Sequence, residues 1–256
     1  MIRKHIFGTH SRRDHGFEWR SSEPSRLEGF SDAVIGFAVT LLVVSLEVPK
    51  TFEELLHAMS GFLAFGICFS LLVLIWHAQF VWFRRYALSD AMTVFLTMLL
   101  LFVVLFFVYP LKFITALTVE WMRSGRVPNA VLADGRTVPM LADNHQFLQL
   151  VAIYSGGYVA VYGIFALMYW HAWRKREELD LSDVEQVETR FSLLEHGLHA
   201  GVGLLAVLMA LVLHTPFAMF AFFLILPLQT TQGHLRGRAR KKIAAQAVAT
   251  IPEAAT

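Results

Sequence analysis

Long apolar runs separated by short polar connections follow one another along most of the chain. They lie at about 27–48, 54–83, 90–117, 146–173, 190–213 and 216–233. A helix needs roughly 20 apolar residues to cross a bilayer, and the runs approach or exceed that length. Of the 256 residues, 56% are hydrophobic, and the lone Cys68 provides no disulfide framework. The pattern therefore predicts an all-α integral membrane protein with six transmembrane helices.

The first run is less apolar than a membrane span needs to be. Its apolar core covers 33–46, with Thr40 and Ser45 inside it. Asp32 precedes this core by one residue, at a depth where a carboxylate facing lipid is costly. We therefore expect Asp32 to face protein or water. Ser25 and Glu28 form a capping-box pattern that predicts the start of this helix, and Pro49 predicts its end.

A helical wheel at about 100° per residue separates the two faces of this first helix. One continuous apolar stripe consists of Phe30, Val34, Phe37, Leu41, Val44 and Val48. Asp32, Gly36 and Val43 fall on the opposite face. The stripe has two interpretations. It either faces lipid on an ordinary first span, or it lines a water path as a hydrophobic constriction while Asp32 packs against another helix.

The same segment resembles the first helix of the transmembrane protein 175 potassium channels, especially the bacterial members with a single six-helix repeat. The matching residues are Arg26, Phe30, Ser31, Asp32, Thr40, Leu41, Leu42, Val43, Val48 and Pro49. The resemblance implies a potassium-permeable cation channel in the bacterial plasma membrane. It implies a homotetramer with the first helices around a central pore and no TVGYG-type filter. The expected partners are the lipid bilayer and monovalent cations, with K⁺ as the permeant ion, and no cofactor, catalytic residue, bound metal or nucleic acid.

The resemblance also assigns roles to individual residues of the first helix. The pore constriction falls on Phe37, Leu41 and Val44, and Thr40 matches a hydroxyl position implicated in cation preference. At Phe37 the family usually has isoleucine or leucine. A ring of four phenylalanines is bulkier, and its π faces attract a desolvated cation. Dewetting of such a neck, rather than a charged gate, is expected to set the closed state.

A hydrogen-bond network is expected to fix the position of the first helix. The resemblance places Arg26, Phe30, Ser31 and Asp32 in it. Trp76, His77 and Gln79 of the second run are at the right depth to meet Ser31 and Asp32. The family usually has histidine about where Gln79 stands.

Charge predicts the orientation and the domain boundaries. Lysines and arginines are concentrated in the N-terminus, the C-terminal tail and alternate loops, so both termini are expected to be cytoplasmic. Residues 1–24 are predicted to form a basic cytoplasmic arm, interpreted as a solvated tail rather than a nucleic-acid-binding segment. The channel domain is predicted to cover 25–234, with an outer loop at 118–145, and a basic, alanine-rich cytoplasmic tail to cover 235–256.

Two local patterns lie in and beside the fourth run. Its S-G-G-Y-V-A-V-Y-G letters look like a potassium filter, but such a filter needs a re-entrant loop. Ala152, Gly156 and Ala160 instead have the small-residue spacing that favours close helix packing. In the outer loop, Asp134-Gly135 predicts a hairpin with a type I′ turn.

Two other functions remain open from the sequence. A proton-coupled small-solute transporter would load and unload Asp32 along a moving helix. A metal-dependent membrane enzyme would use His196, His199 and Glu195, because two histidines three residues apart and a carboxylate can hold a metal on one helix face.

Overall fold

A computed structural model describes residues 13–14, 17–21, 23–44, 50–132 and 134–249. Its helices are α1 (Arg26–Val44), α2 (Phe52–Ser60), α3 (Phe62–Tyr86), α4 (Ala91–Ser124), α5 (Asn144–Arg174), α6 (Asp183–Leu211), a 3₁₀ helix (Pro216–Leu224) and α7 (Ile225–Ala249). Two short antiparallel hairpins join β1 (Arg13–Asp14) to β2 (Phe17–Glu18) and β3 (Asn129–Val131) to β4 (Thr137–Pro139). Within the described ranges, α3, α4, α5 and α6 are long and apolar enough to cross a membrane. The all-α membrane fold is confirmed.

Several helix bounds differ from those of the apolar runs, because hydropathy marks the membrane-crossing part of a helix and not the helix itself. The second run divides into α2 and α3 at Gly61, and α4 continues to Ser124. Gly125, in the left-handed conformation with a φ of 69°, ends α4. Asp143 accepts a hydrogen bond from the Gln146 amide at the start of α5. The connection predicted at 118–145 therefore shrinks to 125–143.

The C-terminal part of the chain is more helical than predicted. The sixth run forms the 3₁₀ helix and then enters α7, which continues to Ala249. Residues 235–249, expected as a tail, therefore extend α7. Residues 250–256 lie outside the described part of the chain.

The predicted hairpin between α4 and α5 is present, but its turn differs from the prediction. Val131 pairs with Thr137, and the Leu132 amide donates to the Arg136 carbonyl. The Gly135 amide donates to the Leu132 carbonyl and Gly135 has a φ of 81°, so the glycine closes a longer turn. A two-residue type I′ connection is therefore wrong. The Asp134 carboxylate accepts hydrogen bonds from the Arg136 amide and side chain, which favours the longer turn.

Glycine permits close helix packing in the middle of the bundle, although not at the predicted glycine. A Cβ on Gly157 of α5 would lie 2.2 Å from the Phe107 ring of α4. A Cβ on Gly203 of α6 would lie 2.8 Å from Val159 of α5. Gly156 instead faces open space, so the predicted packing role belongs to its neighbour.

The described part of the N-terminal arm is docked rather than solvated. Phe17 is completely buried and meets the Tyr86 ring edge-on at 5.5 Å. The Arg20 amide donates to the Arg84 carbonyl, and the Arg20 guanidinium forms a 3.0 Å ion pair with Glu185. The expectation of a solvated arm is therefore wrong for 17–21. The first 12 residues of the arm lie outside the described ranges.

Candidate functional site: the exposed face of the first helix

The first helix begins where its capping residues predict. The Ser25 hydroxyl accepts a hydrogen bond from the Glu28 amide at 3.1 Å, and the Glu28 carboxylate accepts one from the Ser25 amide at 3.3 Å. This reciprocal capping box satisfies two backbone donors at the helix end and is confirmed. The predicted end at Pro49 falls in 45–49, outside the described residues.

A buried ion pair attaches the start of α1 to the end of α3. The Arg84 guanidinium lies 3.1 Å from the Glu28 carboxylate, and the two side chains are 10% and 4% exposed. Arg84 also donates to the Ser21 carbonyl and lies over the Phe80 ring, 5.0 Å from its centroid. Glu28 was predicted only as a capping residue, and its ion pair with Arg84 was not predicted. The sequence signal for a buried ion pair was the carboxylate of Glu28 at the start of an apolar helix, because a buried charge needs a partner.

One turn further along, polar contacts from α3 reach two of the predicted network residues. The Trp76 indole donates to the Asp32 carboxylate at 2.7 Å. The Gln79 amide lies 3.5 Å from the buried Ser31 hydroxyl, which itself donates to the Leu27 carbonyl at 2.9 Å. The structure therefore brings Ser31, Asp32, Trp76 and Gln79 together at the α1–α3 contact.

The other three residues assigned to the network lie elsewhere. Arg26 and Phe30 are on the exposed side of α1. His77 is exposed and stacks on Phe80, with 6.3 Å between ring centroids.

Packing against α3 and α4 determines which face of α1 is left uncovered. Ile35, Ala38 and Leu42 are buried, and their i, i+3, i+7 spacing defines the covered face. The residues exposed along the opposite side from Phe30 onward are Phe30, Asp32, Ala33, Gly36, Phe37, Thr40 and Val43. We call this set the open face of α1.

The open face is rotated relative to the stripe that the helical wheel selected. Val34 and Leu41 of that stripe are half-buried, whereas Gly36 and Val43, expected opposite, are exposed. Nothing is described of the Val44 side chain, and Val48 lies outside the described residues. Phe37, with 56% of its surface accessible, is the largest residue near the centre of the open face.

Thr40 lies near Phe37 on the open face, and its hydroxyl proton is engaged in a hydrogen bond within α1. Its Oγ1 donates to the Phe37 carbonyl at 2.7 Å. A hydroxyl that donates in this way still offers lone pairs as an acceptor. The Thr40 oxygen is therefore suited to meet a cation or a water molecule.

The histidines considered as metal ligands are engaged in hydrogen bonds, those of His196 within α6 and those of His199 to α5 and α7. His196 Nδ1 donates to the Ser192 carbonyl at 2.7 Å. His199 bonds to the Tyr158 hydroxyl through Nδ1 and to the Gln229 side chain, at 3.0 Å, through Nε2. Among the described residues, no group of three or more histidine, cysteine, aspartate or glutamate side chains is arranged to hold a metal ion.

Comparison with known proteins gives concordant results. The model of a family described as the endosomal/lysosomal potassium channel TMEM175 matches residues 26–108. A curated protein of Marivirga tractuosa, named a potassium channel, is 33% identical over 89% of this chain and 93% of its own length. A potassium channel of Streptomyces collinus is 26% identical over 82% of this chain and 97% of its own length.

Among solved structures, the crystal structure of a variant of the potassium channel MtTMEM175, bound to a nanobody–MBP fusion, is similar with a TM-score of 0.76. The two chains are 31% identical, and the match covers 88% of this chain and 99% of the other. The likeness therefore covers most of the chain and not only the first-helix motif.

Proposed function

Because the chain belongs to the TMEM175 family of potassium channels, we propose that it is a potassium-permeable cation channel whose conduction path is lined by the open face of α1. The observation that carries this proposal is an exposed row of mainly apolar residues on a helix whose other side is firmly attached. Exposed apolar surface of this extent marks a contact with lipid, with another copy of the chain or with a pathway. The ion pair of Glu28 with Arg84 and the buried packing of Ile35, Ala38 and Leu42 keep the open face in a fixed orientation.

Four copies of the chain around an axis would bring four open faces together. In this homotetramer the bulky Phe37 side chains form the narrowest ring, with Leu41 and Val44 adjoining it. A neck of this kind excludes water by dewetting and needs no charged gate or carbonyl filter. The proposed gate is therefore hydrophobic, and conduction requires that the neck widen or become wet.

Cation preference in this proposal comes from two features of the neck. The Thr40 oxygen, whose proton is held by the Phe37 carbonyl, presents lone pairs toward the ion path. The Phe37 ring faces attract cations by about 1–2 kcal/mol when water is excluded. Neither feature encloses the ion as a carbonyl cage does, so we expect a modest preference for potassium over sodium.

The proposed setting is the bacterial plasma membrane, with both termini in the cytoplasm. Its support is the distribution of charge, because Arg84, Arg85, Arg174 and Arg176 end two spans on the side shared by both termini. Positively charged residues of short loops remain on the cytoplasmic side during insertion. The bilayer and permeating monovalent cations are the partners, and no cofactor takes part.

The direct test is a flux assay on the purified full chain in liposomes. A potassium gradient should drive flux that exceeds the flux under an equal sodium gradient. Phe37→Ala should increase the flux of both ions, because it widens the neck and removes apolar surface from it. The matched control is Phe102→Ala on α4, where the side chain is 66% exposed but lies outside α1. Unchanged flux in Phe37→Ala would contradict the assignment of Phe37 to the neck. Solute uptake that requires a pH gradient and is lost in Asp32→Asn would instead favour the proton-coupled transporter.

A further inference from the structure

An apolar cavity of about 440 Å³ lies between α3 and the α5–α6 pair. Most of its wall is aliphatic or aromatic and includes Leu71, Ile75, Val104, Val108, Val161 and Phe165. Its volume falls within the range of roughly 300–1,000 Å³ that is typical of small-molecule sites. Leu74 of α3 also lines the cavity and is 62% exposed, so the cavity opens at the surface of a membrane-spanning helix. An apolar molecule of the bilayer can therefore reach it.

The cavity also has a polar side, which α6 and α7 form. Apart from tyrosine hydroxyl groups, the polar side chains of its wall are Glu195, His196, His199 and Gln229. His199 and Gln229 bond to each other at 3.0 Å. The Glu195 carboxylate lies 3.6 Å from the Arg236 guanidinium. The protein itself therefore supplies a partner for three of these side chains, and His196 is the remaining one.

His196 presents an unused hydrogen-bond acceptor. Its Nδ1 lies 2.7 Å from the Ser192 carbonyl oxygen, which can only accept, so Nδ1 carries the proton. In a neutral imidazole with a proton on Nδ1, Nε2 is an acceptor. Among the residues that the structure describes, none bonds to Nε2. The rings of Tyr162, Phe165 and Tyr169 lie against the imidazole, with 5.0–5.9 Å between centroids, and hold its orientation. Because His196 lines the cavity, Nε2 is the group that it can offer to a ligand there.

We propose that this cavity binds a neutral apolar molecule that carries a hydroxyl group. The hydrocarbon body occupies the space between the aliphatic side chains of α3, α4 and α5, and the hydroxyl group donates a hydrogen bond to His196 Nε2. A carboxylate brings no proton to donate and would be repelled by Glu195. An ammonium group would lose its hydration against an aliphatic wall and would lie near Arg236. The inference does not depend on ion conduction, because the described residues of the wall belong to α3–α7 and the test measures binding.

The test is photolabelling of the purified full chain in liposomes with azioctanol, a photoreactive analogue of octanol. Mass spectrometry of the labelled peptides should place the label on α3 and α5 residues of the cavity wall. Unlabelled octanol and heptyl methyl ether then compete for the site at equal concentrations in the bilayer. The two molecules have the same number of heavy atoms, but the ether has no proton to donate. Octanol should compete about fivefold more effectively, as expected for one hydrogen bond between neutral groups.

His196→Phe removes the acceptor and keeps a ring among the same aromatic neighbours. The Ser192 carbonyl retains its helical partner, the amide of residue 196, so no backbone group is left unpaired. The advantage of octanol over the ether should disappear, and competition by the ether should be unchanged. The matched control is His214→Phe, at an exposed histidine outside the cavity wall, which should keep the full advantage.

A second variant tests the apolar part of the site. Ala78 lies in the wall, so Ala78→Phe should fill part of the cavity and reduce labelling there about tenfold. Val73→Phe, on the same helix but outside the wall, is its control. Equal competition by octanol and the ether in the wild type, an advantage of octanol that persists in His196→Phe, or labelling that falls only outside the cavity would each overturn the proposal. The wild-type comparison of the two competitors decides even if a variant fails to fold.

Discussion

The ion pair between Glu28 and Arg84 gives the sharpest stability prediction, because both partners are buried and a single change isolates the charge. Glu28→Gln retains a side chain that can complete the capping box with Ser25. The variant therefore removes the carboxylate charge and leaves the local helix start intact. Arg84 is then left as a buried cation without its carboxylate.

The magnitude follows from the distance and the burial. Two unit charges at the observed 3.1 Å attract each other by about 5 kcal/mol at an effective dielectric constant of about 20. Removing one partner of a buried pair costs about 3–5 kcal/mol, because the remaining charge stays desolvated. We expect Glu28→Gln and Arg84→Gln each to lower the free energy of unfolding by this amount. The double variant should be less destabilised than the sum of the two by about 2–3 kcal/mol.

The assay is unfolding of the purified chain by denaturing detergent, followed by circular dichroism, for the two single variants and the double variant. Arg123→Gln is the matched control, because Arg123 forms an ion pair of similar length, 2.9 Å, with Glu120 on an exposed part of α4. That variant should change stability too little to resolve. Additive effects of Glu28→Gln and Arg84→Gln would refute the reasoning, since they would show that the two charges do not interact.

Two further predictions concern packing and pH. Gly157→Ala should destabilise the fold by about 1–3 kcal/mol, because the added methyl group would clash with the Phe107 ring. The adjacent Gly156→Ala, which meets open space, should not destabilise it. Thermal unfolding of both variants measures the difference, and equal effects would contradict the packing role of Gly157. Burial would raise the pKa of Asp90, but hydrogen bonds from Thr93, Lys175 and His171 outweigh it and hold that pKa below its ordinary value. The Asp90 carboxylate therefore stabilises the folded state above about pH 4, and this stabilisation is lost as the pH falls further. The difference in melting temperature between wild type and Asp90→Asn should shrink below that pH. A difference that stays constant from pH 6 to pH 3 would contradict the pairing of Asp90.

Local signals in the sequence predicted much of the fold. The capping box at Ser25 and Glu28 depends on residues three apart, and the six runs depend on hydropathy over about 20 positions. These features need no knowledge of distant parts of the chain. The family was likewise recognisable from a motif confined to the first helix, and the fold of the whole chain agrees with it.

Long-range contacts explain most of what the sequence did not predict. Phe17 stands in a polar, basic arm, and its burial depends on Tyr86 and Arg85, far along the chain. A helical wheel shows which residues share a face of α1, but not which face its neighbours cover. Packing of Ile35, Ala38 and Leu42 decides that question, and it leaves Leu41 at the edge of the open face rather than on it.

The central claim is that the open face of α1 lines the ion path, and thiol modification of Thr40→Cys tests it most directly. The natural Cys68 is completely buried, so a water-soluble thiol reagent should leave flux through the wild-type protein unchanged. We expect the reagent to block potassium flux through Thr40→Cys in liposomes and to have no effect on Phe102→Cys, on the exposed side of α4. Full flux through Thr40→Cys after complete modification, demonstrated by mass spectrometry, would contradict the account.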